Sequence, residues 1–141
     1  MPDDIKEMIE IFEKLKESLK FHYDYHKHMT TINAGSILLI IAILEGIFRD
    51  PKGIIFIISS IVCFVLSLTC SLIGMTTITH VILSMVMTQH AMFTKNIKEY
   101  EKISNMAKVR LNRLDVIDNL HRISFFLGIV LLVSFAFINF L

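Results

Sequence analysis

Residues 29–48 read MTTINAGSILLIIAILEGIF, twenty residues with one formal charge, Glu45. As a helix rising 1.5 Å per residue, the stretch spans about 30 Å, the thickness of a bilayer's hydrocarbon core. It reads as a membrane crossing, and that sets the class of the chain. A basic, histidine-bearing approach precedes it (Lys20, His22, His26, Lys27, His28), an apolar ladder fills it, and a carboxylate closes it. On a helix, Glu45 shares a face with Ile41, Leu38, Ala34 and Thr31 at steps of three and four, continuing down to Lys27. A carboxylate inside a membrane is costly unless paired or wetted, so it marks a function by default. Arg49, four residues on, could equally hold it as an ion pair on a wet rim. The residues alone allow both a rim pair and a pore carboxylate.

The rest of the chain agrees with a membrane protein. Of 141 residues, 54% are hydrophobic and the mean hydropathy is +0.63, above a soluble domain's share. A net charge of +1 gives no field to attract a nucleic acid polymer. Cys63 and Cys70 lie seven apart in one apolar run, too distant on a helix to pair, and are expected to pack as small buried residues. The charged first 28 residues do not read as a cleaved secretory leader.

Before the crossing, Ile5, Met8, Phe12, Leu15 and Leu19 recur at three and four, a coiled-coil seam flanked by a helpful Glu10/Lys14 pair and an unhelpful Glu13/Glu17 pair. So short a seam needs a partner: another helix of this protein, a sister subunit or the membrane surface. In residues 21–28, FHYDYHKH, His22 and His26 stand one turn apart, a metal-compatible spacing with no third ligand following. Beside a membrane entry, with Phe21, Tyr23 and Tyr25, they also suit a headgroup-level belt, the favoured reading.

Residues 49–53, RDPKG, make a turn, so the first two helices form a hairpin. Residues 53–94 hold no formal charge. A straight helix of that length is about 63 Å, twice the membrane, while two crossings leave almost no turn. The second half carries Thr76, Thr77, Thr79, His80, Gln89 and His90, so the expectation is one crossing over 54–75 that runs on as an amphipathic extension. Ser60, Cys63, Ser67, Ser71 and Gly74 make a small-residue stripe, read as a packing seam. Residues 95–122 keep apolar positions at Ile103, Met106, Ala107, Leu111, Leu114, Ile117 and Leu120 among seven basic residues. Lys108, Arg110 and Arg113 could serve an anionic ligand or headgroup, although a solvated, topology-setting face is the commoner meaning. Residues 123–141 are uncharged and make a third crossing.

The expected architecture is therefore all-α: a cytoplasmic amphipathic helix over 1–28, crossings over 29–48, 54–75 and 123–141, an outer turn over 49–53 and a cytoplasmic extension over 76–122. Five lysines precede the first crossing, two basic residues sit in the turn, and seven lie between the last two crossings. That places the amino terminus in the cytoplasm and the carboxyl terminus outside a multi-pass cell-membrane protein.

Two resemblances sharpen the functional expectation. HYDYHKHMTTINAGSILLIIAIL, with Asp24 and Lys27, together with EYEKISNMAKVRLNRLDVIDNLHRISFFLGIVLL, resembles the small membrane effectors of cyclic-nucleotide defence systems, the Pycsar transmembrane and SLATT type. That resemblance implies an oligomer that disrupts a membrane when a cyclic nucleotide or a partner sensor triggers it. The first crossing also resembles the pore helix of Orai-type calcium channels, which implies a selectivity role for Glu45.

No glycine-rich phosphate loop, metal-spaced cluster or Ser, His and Asp set on one face is visible, so neither an enzyme, a metal nor a cofactor is expected. The six histidines read as cytoplasmic polar residues in the pH-responsive range. Two functions follow. One is a homo-oligomer of four or more chains forming a cation-conducting or membrane-permeabilising pore. In it Glu45 attracts the inorganic cation, Leu38 and Ile41 gate, Ala34 and Thr31 line the path, and Lys20, Lys27 and His28 form the inner basic mouth. The other is a non-conducting membrane scaffold whose cytoplasmic helices bind a partner.

Overall fold

The computed structural model describes residues 3–46, 52–93 and 97–140, with side chains described for 10–44, 52–89, 91 and 101–139. Three helices account for these residues: α1 (Asp3–Gly46), α2 (Ile54–Phe93) and α3 (Ile97–Phe140). Each is long and apolar enough to cross a membrane. At 44, 40 and 44 residues they reach about 60 to 66 Å, roughly twice a hydrocarbon core. The helices run unbroken across residues 28/29, 75/76 and 122/123, so each apolar stretch and its more polar continuation form one rod.

α2 lies between the other two, and α1 and α3 both pack along it. Because the helices alternate in direction, the apolar half of each comes to the same end. There Ile40, Ile57, Phe64 and Phe135 form a buried cluster, with Ile37, Leu44, Phe56, Ile61, Phe125 and Leu132 against it. Asn139 ties that end together: its Oδ1 accepts from Lys52 N at 2.9 Å and its Nδ2 donates to Lys52 O at 2.8 Å. Gly53 turns the chain into α2 with φ 68, a left-handed conformation that costs glycine little. At the opposite end, Leu19, Ile78, Val81, Met85 and Leu114 form a second cluster, joined by Phe12, Ile82 and Leu111.

The uncharged 53–94 run does not fold back on itself. α2 is unbroken from Ile54 to Phe93, so a fourth crossing has no turn to start from. Its polar second half satisfies itself locally: Thr76 and Thr77 donate to Ile73 O, Thr79 to Met75 O, Ser84 to His80 O and Thr88 to Ser84 O. Hydroxyls that bond back into their own helix add little polarity to its surface.

The amino-terminal seam packs within the chain, with Phe12 and Leu19 against α2, while Leu15 is exposed and leaves the expected stripe. The reason is register. From Leu19 the buried positions of α1 recur every seven residues, at Leu19, His26, Asn33 and Ile40, the repeat of a left-handed pair of helices. Glu10 and Lys14 make the expected pair at 2.7 Å on the open side. In α3, Ile103 and Leu114 face inward, while Met106 and Leu120 are exposed.

Candidate functional site

Between the two apolar clusters the core turns polar. His26 and Asn33 from α1, Ser67 and Ser71 from α2, and Asp118 and His121 from α3 are all buried at one level of the bundle. The heptad seam explains the α1 members, since His26 and Asn33 occupy consecutive seam positions, about two turns apart, between Leu19 and Ile40, which fill theirs with hydrocarbon. On α2 the stripe of small residues makes room. Ser60, Cys63, Ser67, Ser71 and Gly74 are all buried, as a packing seam requires.

His26 lies against Gly74 so closely that a Cβ there would come within 2.6 Å of its Nε2. Only the missing side chain lets the imidazole lie flat on α2. Gly128 admits Phe64 in the same way, and Ser60 Oγ donates to Gly128 O at 2.7 Å.

The polar groups fall into two linked sets. In the first, Asp118 receives two histidines from α1: His26 Nε2 lies 2.8 Å from its Oδ1 and His22 Nδ1 3.6 Å from its Oδ2. In the second, His121 Nδ1 lies 2.8 Å from Ser67 Oγ, 3.2 Å from Ser71 Oγ and 3.1 Å from Ser67 O. Asn33 Nδ2 donates to Ser67 Oγ at 3.1 Å, which brings α1 into that set. The His26 and His121 rings meet edge to face at 5.8 Å, and Tyr25 packs on both. Burial disfavours the imidazolium form of His26, and the Asp118 carboxylate favours it.

Five buried polar atoms here have no hydrogen-bond partner: His26 Nδ1 and Nε2, Asp118 Oδ1, His121 Nε2 and Asn33 Oδ1. The 2.8 Å approach of His26 Nε2 to Asp118 Oδ1 is thus an ion-pair contact without hydrogen-bond geometry. Orphaned polar atoms in a core are uncommon and costly, so the waist is held at some expense by the packing above and below it. The sequence reading found no Ser, His and Asp on one face, and the structure assembles those residue types from two helices. They do not make a relay on one imidazole, because the described contacts put Asp118 on His26 and Ser67 on His121. Among the described residues, no three His, Cys, Asp or Glu side chains are placed to hold a metal.

No family model matches the sequence, and comparison with curated proteins and with solved structures returns no similar protein.

The residues singled out by sequence fall elsewhere. Leu38 and Ile41 are 68% and 42% exposed, Thr31 is exposed and Ala34 half-buried, so this ladder faces away from the seam. Lys20, Lys27 and His28 are exposed with it. Glu45 sits in the last turn of α1, but its side chain and Arg49 lie outside the described residues, as does the side chain of His90. Of the basic trio, Arg110 is committed to α2, its Nη1 donating to Ser84 Oγ at 2.8 Å and His80 O at 3.2 Å. Lys108 and Arg113 are exposed, and Arg110 and Arg113 border one shallow depression with Asn105, Met106 and Val109.

Of the residues read as a headgroup-level belt, Phe21 and Tyr23 are exposed, whereas His26 is fully buried and is not available to one. What sequence reasoning missed is the inward seam. Asp118 and His121 looked like two more polar residues in a charged helix, and Asn33 like one polar residue in an apolar one. The signal for Asn33, as for His26, was the seven-residue repeat continued from Leu19 along α1.

Proposed function

We propose that the protein is a multi-pass membrane protein that assembles from four or more copies into a cation-conducting or membrane-permeabilising pore. The observation that supports this most is the contrast between the two sides of α1. Inside one copy, Ile40, Ile57, Phe64 and Phe135 fill the membrane-length end of the bundle, so a path across the bilayer has to run between copies. The side of α1 carrying Thr31, Leu38 and Ile41 is exposed and uncharged, and it leads from Lys27 towards Glu45. In a ring of copies that side is free to line the path. Glu45 then concentrates cations at one mouth, Leu38 and Ile41 form the dewetting constriction, and the halves of the helices beyond the membrane act as gate and sensor. With the basic segments inside, the amino terminus is cytoplasmic in the cell membrane. The effector resemblance adds a trigger, a cyclic nucleotide or a partner sensor acting on the cytoplasmic halves.

One feature favours the scaffold alternative. Phe12, Ile82, Met85 and Val86, rimmed by Glu13, Lys16 and Gln89, line a groove between the amino-terminal half of α1 and the carboxyl-terminal half of α2, where a partner segment could lie.

Cation flux through the purified protein in liposomes, with the assembly's mass measured in the same detergent, separates the two. Flux from a particle of at least four chains, with altered selectivity in Glu45→Gln, is the expected result. A silent monomer or dimer would move the function to the groove.

A further inference from the structure

The polar waist sits where α1 meets α3, and it has a chemistry that a packing seam does not need. α1 reaches α3 here through His22 and His26 on Asp118, and through Tyr25 and His26 on His121. We propose that this contact is a proton-operated latch: it holds α1 on the α2–α3 pair at neutral pH and releases it on acidification.

The argument rests on counting protons against acceptors. On α1, the groups facing His26 that titrate are His22 and Tyr25; on α3 they are Asp118 and His121. From α2 the facing residues are Gly74, Ser67 and Ser71, none of which titrates near neutrality. Asp24, Lys27, Asp115 and Arg122, the nearest other charges along α1 and α3, are exposed. The buried site thus holds two imidazoles and one carboxylate. One added proton is balanced in charge, because His26 Nε2 lies 2.8 Å from Asp118 Oδ1 and a positive ring there completes an ion pair, although Nδ1 then carries an N–H with no acceptor.

A second proton is not balanced. Whichever nitrogen of neutral His121 carries its hydrogen, the protonated ring has N–H groups on both sides, and Nε2 has no acceptor. The same holds for Nδ1 of protonated His26. Both rings then carry charge 5.8 Å apart in a buried core against a single carboxylate. Moving α1 away from α3 wets these nitrogens and removes the repulsion.

The sign follows. Burial makes His26 harder to protonate docked than undocked, where a histidine titrates near pH 6.5, and a charge on the neighbouring His121 ring adds to that cost. Docking is therefore complete above that pH and weakens as pH falls below it. The inference does not depend on conduction, since it concerns the position of α1 within one copy.

The test is an interhelical distance. Nitroxides at Tyr23→Cys on α1 and Val116→Cys on α3, both exposed, with Cys63 and Cys70 changed to Ala, report it by pulsed electron resonance in vesicles from pH 8 to pH 5. The expected result is a single short distance at pH 8 that gives way reversibly to a longer, broader distribution at pH 5. His121→Gln should lower the midpoint by at least one pH unit, a tenfold change in proton concentration. Asp118→Asn should raise it, because even the first proton is then uncompensated. The double variant His26→Gln, His121→Gln keeps side-chain size and should stay docked throughout. A wild-type distance that is constant from pH 8 to pH 5 would overturn the latch, as would a full acid transition in the double variant. A moving α1 in a protein that carries no current would leave the latch standing and remove the pore; the reverse outcome would do the opposite.

Discussion

The two sides of α1 are built to opposite rules. Inward, Leu19, His26, Asn33 and Ile40 follow a seven-residue spacing and bracket two polar groups between hydrocarbon, His26 meeting α3 and Asn33 meeting α2. Outward, Thr31, Leu38 and Ile41 are exposed and touch little beyond their own helix; Thr31 Oγ1 donates to Lys27 O at 3.3 Å. The inward side specifies how one copy folds. The outward side is what that copy has left to offer lipid, a neighbour or a permeating ion. Polarity alone is thus a poor guide to function in this chain, because His26 and Asn33 are buried as internal fastenings while Lys20, Lys27 and His28 are exposed.

Substitutions should separate the two sides. The largest expected loss is from Phe64→Ala, which empties the centre of the apolar cluster and removes the ring seated on Gly128; about 3 kcal/mol follows from the cavity alone, read as a lower thermal midpoint in detergent. Asp118→Ala comes next at a similar scale, about 3 kcal/mol, because it strands the buried His26 without its charge partner and takes the half-exposed His22 off the same carboxylate. Its unfolding should depend more steeply on acid than that of Phe64→Ala, which distinguishes a lost charge partner from a lost contact. Gly74→Ala pushes a methyl group into the His26 ring and should cost about 1 to 3 kcal/mol, with the loss reduced when His26 is also changed to Ala. Arg110→Met removes only the donor to Ser84 and His80, worth about 1 kcal/mol. On the outward side, Leu38→Ala and Ile41→Ala should leave the midpoint within about 0.5 kcal/mol, so any change in flux they cause is functional.

Much of the fold was legible in the sequence because hydrophobic length and charge placement are local signals. The twenty-residue run at 29–48, the turn at Lys52 and Gly53 and the uncharged 123–141 stretch each announce themselves. The continuity of α2 was also readable, since two crossings in 42 residues leave no room for a turn. The waist was not. His26, Ser67 and Asp118 lie on three helices, so their meeting depends on the register of each helix against α2, which periodicity fixes only when the seam is followed for several turns. The seam over residues 5–19 was followed through Leu15, which is exposed, and so lost the register that leads from Leu19 to His26. Thr31, Ala34, Leu38 and Ile41 form a neighbouring stripe, distinguished in the sequence by the face they share with Glu45.

The measurement that tests the account most directly compares those stripes in the assembled protein. Single cysteines at Leu38, Ile41, Asn33 and Ile40, in a background with Cys63 and Cys70 changed to Ala, are exposed to a water-soluble, positively charged thiol reagent while cation flux is recorded from liposomes. The account predicts that Leu38→Cys and Ile41→Cys react and lose most of their flux, whereas Asn33→Cys and Ile40→Cys stay unmodified. Reaction of the inward pair, or a Leu38→Cys protein that reacts only with a lipid-soluble reagent and conducts unchanged, would contradict it.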